Sequence, residues 1–281
     1  MNNYYFDLLG LHVLLQTPQT IQISQRLQPF VCQSENFVAD CTIHLQYSGE
    51  LPRPKGIWHG PECYDYAMDA LQIYHCREFH GTPFAVTSMA PKGDIQITVD
   101  PAFAEYFSGT SGIFNRIGFE NMLLQHNGLL LHASLIKFAC QGIAFAGPSG
   151  AGKSTQAELW QKFLGADILN GDRAALRMTH EGWRAYGSPY AGTSGIYRNE
   201  NAPLRAVVVL QQAKENCLSR LSGTQAFTRV WPELSLHRWD GVFVDRAMEL
   251  CEKLLTDVPV YLLECLPDGS AVTLLKEGLS L

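Results

Sequence analysis

Apolar and polar residues alternate with a period of two in several short runs of the first 125 or so residues. Thr20-Ile-Gln-Ile-Ser24, Asp40-Cys-Thr-Ile-His-Leu-Gln46 and Asp94-Ile-Gln-Ile-Thr-Val99 read as half-buried strands, because successive side chains of a strand point to opposite faces. Pro and Gly clusters at Pro52-Arg-Pro54, Gly60-Pro61 and Pro91-Lys-Gly93 separate them. The expectation for residues 1–125 is a β-rich region of antiparallel strands. From 112 to 124 the period lengthens, with Ile113, Ile117, Phe119, Met122 and Leu123 at helical spacing.

Beyond the turn signal Asn127-Gly128 the chain changes character. Apolar strands are predicted over 129–136 and 143–146, followed by an amphipathic helix over 155–164 with Ala157, Trp160, Phe163 and Leu164 on one face. A short strand at 167–170 and a buried strand at 204–210 come next. A helix over 225–236 is interrupted by Pro232, a clearer helix covers 242–255, and a last strand lies at 258–263. Trp231, His237, Arg238 and Trp239 are assigned to the core. Strands alternating with helices predict an α/β core for residues 126–281.

Between the second apolar strand and the amphipathic helix lies Gly147-Pro-Ser-Gly-Ala-Gly-Lys153-Ser154, which matches G-x-x-x-x-G-K-[ST]. Each residue type has a physical reason. Gly147, Gly150 and Gly152 permit backbone angles and close approaches that a Cβ blocks. The freed N–H groups form an anion-binding nest, to which the following helix adds its positive end. Lys153 is a mobile cation for β- and γ-phosphates, and the Ser154 hydroxyl suits Mg²⁺. The pattern therefore predicts nucleoside triphosphate binding.

Many phosphate-loop proteins carry a metal-binding acid at the end of a later apolar strand. Here the strand at 204–210 runs into Gln211-Gln212 instead. Asp172 lies only 19 residues beyond Lys153. It suits an arrangement in which the strand after the loop helix returns beside the phosphates, where a carboxylate holds Mg²⁺ through water or takes a proton from an attacking hydroxyl. The competing reading is a plain turn at Asn170-Gly171-Asp172. His132, 15 residues before Gly147, is either a satisfied core histidine or a ring that reaches the γ-phosphate region. Arg198, with Asn199 and Glu200, follows a Gly-rich loop over 187–195. It either covers phosphates or forms a surface ion pair.

Composition narrows the partners. The chain has 281 residues, 46% of them hydrophobic and 17% charged, which describes an ordered globular protein. A net charge of −6 and an absence of basic runs argue against nucleic acid and anionic membranes as partners. Eight dispersed cysteines make no C-x-x-C pair, and reduced thiols in the cytoplasm are expected. The first 15 residues show no basic region or cleavage pattern, and no apolar run reaches membrane-spanning length.

His132, the strand pair, the loop and the early Asp172 together resemble the C-terminal domain of HPr kinase/phosphorylase. That family shares its loop arrangement with ATP-dependent phosphoenolpyruvate carboxykinase. The likeness is closer to the HPr-kinase-like proteins of bacterial peptide-modification clusters, lasso-peptide kinases among them. It is carried by Leu130-Leu-His-Ala-Ser134, Phe145-Ala-Gly-Pro-Ser-Gly-Ala-Gly-Lys-Ser-Thr155, Ile168-Leu-Asn-Gly-Asp172, Tyr186-Gly-Ser-Pro189 and Arg198-Asn-Glu200, and extends over about residues 125–265. The resemblance implies an α/β P-loop core of that type behind a β-rich N-terminal region. It further implies ATP- and Mg²⁺-dependent phosphorylation of a serine or threonine hydroxyl on a peptide or small carrier protein.

By the same likeness, Asp172 takes the hydroxyl proton, His132 sits near the transferring phosphate, and Ser154 and Asp172 attend the metal. Gly147, Ser149, Gly150, Ala151, Gly152, Lys153, Ser154, Thr155 and Arg198 would hold the nucleotide. Residues 1–125 match the family only in β-rich character and size, and acceptor recognition is a separate expectation for them. A homo-oligomer accords with the hexamers common in the family. In one respect the chain departs from the pattern: the family usually has two adjacent acids where this sequence has Gly171-Asp172. A non-catalytic nucleotide-binding regulator, or a small-molecule kinase on the same scaffold, therefore stands beside the peptide-kinase expectation.

Overall fold

A computed structural model describes residues 1–34, 37–67, 70–77, 81–90 and 93–281. Pro91 and Lys92 of the third Pro/Gly cluster lie outside these residues. The chain divides into two compact units, Met1–Gln125 and His126–Leu281. Both contain a mixed sheet. None of the described helices is long and apolar enough to cross a membrane.

In the first unit eight strands form one sheet: β1 (Asn2–Leu8), β2 (Leu11–Thr17), β3 (Cys41–Tyr47), β4 (Trp58–His59), β5 (Glu62–Ala67), β6 (Ala70–Cys76), β7 (Pro83–Met89) and β8 (Ile95–Val99). Their order is β1-β2-β3-β8-β7-β6-β5-β4. The sheet is not wholly antiparallel as expected, since β2 with β3 and β3 with β8 pair in parallel. The reason is connection length. Residues 18–40 and 48–94 are long enough for a crossover, whereas tight hairpins force antiparallel neighbours. Thr20–Ser24 is not a strand: Gln22 makes a single bridge to Gly109, and the chain then enters a 3₁₀ turn, Gln25–Phe30. The helix expected over 112–124 is two helices, α1 (Thr110–Ile117) and α2 (Phe119–Gln125), separated by Gly118 at φ 64°.

In the second unit the strands are β9 (Gly128–Phe138), β10 (Gln141–Ala146), β11 (Asp167–Asn170), β12 (Arg173–Thr179), β13 (Gly182–Tyr186), β14 (Asn201–Gln212), β15 (Cys217–Leu221) and β16 (Val260–Cys265). The helices are α3 (Lys153–Leu164), α4 (Gly223–Val230), α5 (Gly241–Asp257) and α6 (Gly269–Gly278). β9 and β14 are long, and each changes partners along its length. The first half of β9 pairs with β12 and the second half with β10 and β11, all antiparallel. β14 pairs first with β13, then in parallel with β10 and β16. The inward side chains of β10, Ile143 and Phe145, pack with Ala157 and Trp160 of α3 and with Val272 and Leu275 of α6.

Two side-chain expectations fail. Phe163 is 52% exposed, its ring lying beside Gly269 and near the Lys162 ammonium. Trp231, His237 and Trp239 are only part-buried and Arg238 is exposed, because α4 ends at Val230, a 3₁₀ turn with Pro232 follows over Trp231–Glu233, and no single face gathers them.

The first unit buries the imidazole of His75. His75 is 5% exposed, with its Nε2 3.1 Å from the Arg116 carbonyl oxygen. Burial, aided by the nearby Arg116 charge, pushes its pKa down to about 4 from an ordinary 6.5. Between those values the unfolded chain binds a proton that the folded unit refuses, so stability is full at neutral pH and declines as pH falls through the window. Urea unfolding should show a loss of about 2 kcal/mol between pH 7 and pH 5 from this ring alone. His75→Gln should remove that part of the decline.

Candidate active site

β10 is buried between β9 and β14 and ends at Ala146, where the chain enters loop 147–154. Gly147, Gly150 and Gly152 all have positive φ, at 142°, 81° and 101°. A Cβ at Gly147 would press on the Leu210 carbonyl oxygen and the Ala151 Cβ at 3.2 Å. Gly152 is the N-cap of α3, and no side chain caps the helix there. The helix therefore presents its first-turn N–H groups and positive end at the loop. Gln212, at the end of β14, donates to the Gly150 carbonyl at 2.8 Å. The strand end that lacks a metal-binding acid thus braces the loop instead.

Lys153 is 9% exposed, and its Nζ donates to the carbonyls of Gly147 at 2.6 Å and Pro148 at 3.2 Å. Burial lowers its pKa, while the Glu233 and Asp172 carboxylates oppose that shift. Ser154 and Thr155 are exposed. A cleft of about 490 Å³ runs along this side of the loop, walled by Ser149, Gly150, Gly152, Lys153, Ser154 and Thr155. His132, Gly171 and Asp172 face them, and Gly192 and Thr193 complete the wall. A second hollow of about 350 Å³ lies against Gly150, Ala151, Gly152 and Thr155, with Leu266 and Pro267 adding apolar surface.

The strand pairings explain why His132 and Asp172 meet. Ala133 sits opposite Ala146, so His132 is level with the start of the loop. β11 returns beside β9, and the Ala133 N–H donates to the Asp172 carbonyl at 2.9 Å. The turn at 170–173 is organised by Asn170, a fully buried side chain. Its Oδ1 accepts from the N–H groups of Asp172 at 2.8 Å and Arg173 at 2.7 Å, while its Nδ2 donates to the carbonyls of Ser188 and Tyr190. Asx-type bonding fixes the turn and aims Asp172 into the cleft. Turn and site are the same feature. Asp172 Oδ1 lies 3.7 Å from His132 Nε2, and Asp172 Oδ2 lies 3.8 Å from Arg173 Nε.

Of the residues singled out in the sequence, His132, Ser149, Gly150, Gly152, Lys153, Ser154, Thr155 and Asp172 share one cleft, and Ala151 lines the adjoining hollow. Gly147 touches neither, and acts through its carbonyl on Lys153. Arg198 is elsewhere. Its guanidinium is 3.2 Å from Asp167 and 3.6 Å from Glu200, which in turn pairs with Lys137 at 2.6 Å. Lys137 is five residues along β9 from His132, about 17 Å at the rise of an extended strand. Arg198 thus takes part in a surface ion-pair group and does not line the cleft.

Asn170 and Gly192 enter the sequence reading only as parts of a turn and of a Gly-rich loop, and Glu233 does not enter it. Asn170 and Gly192 carried a turn signal in their sequence neighbourhoods. Glu233 carried none, because it reaches the site only through tertiary pairing. Among the described residues no group of three His, Cys, Asp or Glu side chains is arranged to hold a metal. Ser154 and Asp172 both open on the cleft, and two hard oxygen donors of this kind fit Mg²⁺, which keeps much of its coordination for water and phosphate.

The second unit is thus a mixed α/β structure with a glycine-rich strand-to-helix loop bordered by a histidine and a carboxylate. Compared with known families and with curated proteins, the sequence matches neither a family model nor a curated protein.

Gly171 has a steric role of its own. A Cβ there would overlap the Ser194 hydroxyl, so loop 187–196 occupies the space of any side chain at this position. Gly171→Ala should destabilise the second unit by about 1–3 kcal/mol through overpacking. Adding Ser194→Gly should return part of that loss, a coupling that urea midpoints of the two single variants and the double variant would measure.

Proposed function

We propose that this chain is an ATP-dependent kinase that transfers a γ-phosphoryl group to a serine or threonine hydroxyl of a peptide or small carrier protein. The observation that carries the reading is the single cleft in which Lys153 and Ser154 face His132 and Asp172 across the loop. The hollow on the other side of the loop offers room for the nucleoside, so that phosphates lie along loop 147–154 and the γ-phosphate points at Asp172.

The loop N–H groups and the α3 N-terminus neutralise phosphate charge, and Lys153 moves from the loop carbonyls to the β- and γ-phosphates. Ser154 and Asp172 would hold Mg²⁺, which supplies further neutralisation of charge on the phosphates. The acceptor hydroxyl gives its proton to the Asp172 carboxylate as its oxygen bonds to the γ-phosphorus. The bond from that phosphorus to the bridging oxygen breaks, and the electron pair leaves with ADP. Asp172 needs no unusual basicity for this, since catalysis of this kind is mostly positioning and charge neutralisation. The reading assigns the protein to the cytoplasm, where ATP is abundant and thiols stay reduced; all eight cysteines are free thiols.

Lys153→Ala should weaken ATP binding measured by calorimetry. Asp172→Asn should leave ATP affinity within a few-fold and slow transfer to serine-containing peptides by about a hundredfold or more. Unchanged transfer in Asp172→Asn would remove the base. ATP binding by the wild type with no transfer to any acceptor would favour a nucleotide-binding regulator.

A further inference from the structure

Glu233 lies on the 3₁₀ turn Trp231–Glu233, which follows α4. Two contacts stitch this turn to the first half of β9: a bridge between Leu131 and Leu234, and the Ser235 N–H donating to the Leu130 carbonyl at 2.9 Å. The next residue of β9 is His132, and Glu233 Oε2 lies 3.4 Å from its Nδ1. Asp172 Oδ1 faces the other ring nitrogen at 3.7 Å. The ring is therefore bracketed by two carboxylates that come from different parts of the chain.

Glu233 is the less accessible of the two, with a side chain 12% exposed against 29% for Asp172. A carboxylate withdrawn from water is costly unless a cation or donor faces it. His132 is one such group, and Lys153 is another, since the Glu233 charge is the first to oppose the effect of burial on that lysine. Arg173, opposite His132 in the β9–β12 pairing, faces Asp172 from its far side. Gly171 has no side chain, and Ser194 fills the space beside it, so a second acid cannot enter the cleft from the turn at 170–173.

We propose that Glu233 is the second carboxylate of this site, a positioning residue that holds the His132 ring with Nδ1–H toward Glu233 and Nε2 toward Asp172. The role rests on the kinase reading above, and the ring geometry does not. With Nδ1 carrying the proton, Nε2 is an acceptor. The ring then meets the Asp172 carboxylate in one fixed orientation, which Glu233 sets from the opposite nitrogen.

The tautomer is read on the full-length protein, without nucleotide or acceptor, from the ¹⁵N shifts of the imidazole nitrogens at a pH where the ring is neutral. His132→Gln assigns the resonances. The expected result is a wild-type ring protonated at Nδ1 that shifts toward the Nε2-protonated form in Glu233→Ala. Wild-type protonation at Nε2, or an unchanged ring in Glu233→Ala, overturns the proposal. Should Glu233→Ala not fold, the wild-type spectrum alone decides it. With ATP and a serine peptide, kcat should fall about tenfold or more in Glu233→Gln while the KM for ATP stays within about twofold. An unchanged kcat also overturns the positioning role. If the wild type transfers no phosphate at all, the kinase reading fails, and the tautomer result still decides whether Glu233 sets the ring.

Discussion

The change of partners along β9 is the constraint on which the second unit depends. Up to His132 the strand pairs with β12, and from Ala133 onward it pairs with β10 and β11. A strand can serve two sets of neighbours only where the ladders part, and there its backbone meets a turn instead of a continuous partner. At that point the Ala133 N–H finds the Asp172 carbonyl. The loop leaving β10 starts at the same level. Phosphate loop, histidine and carboxylate converge because three ladders end at one place, much as ligand sites gather where strand order reverses in open α/β sheets.

Charge at this place is held by packing. Gly192, at φ 53°, passes so close to Asp172 that a Cβ would lie 2.8–2.9 Å from its side chain. The same loop covers Gly171, and its anchor is the buried Asn170 amide bound to two loop carbonyls. Asp172 is thus fixed by backbone on both sides, and its separation from Lys153 and His132 is set before any ligand arrives. Preorganisation of this kind is what a site needs when its chemistry is positioning and neutralisation.

Much of the second unit was legible from local pattern. The apolar runs of β9, β10 and β14 and the amphipathic face of α3 each reflect burial that a short window of sequence reports. Where the pattern misled, a non-local term had decided. Thr20–Ser24 alternates like a strand and has one bridge only, since a ladder needs a partner of matching length. The parallel pairs of the first unit follow from what the intervening chain does, which alternation does not encode. Arg198 had a plausible neighbourhood in sequence, yet its backbone N–H donates to the Leu169 carbonyl of β11, which leaves its side chain with Asp167 and Glu200.

The loop 147–154 is a local object: its glycines, its lysine and its hydroxyl lie within eight consecutive residues, and their spacing is read without any tertiary contact. Asp172 and His132 were visible as candidates because each lies within two elements of that loop. Glu233 was not, since some hundred residues of chain separate it from His132 and only the bridge between Leu131 and Leu234 brings them together. Sequence determined the loop and its place between strand and helix. The tertiary structure decided which charged groups surround it, because electrostatic contact depends on distance in space and the chain folds back twice before that distance is set.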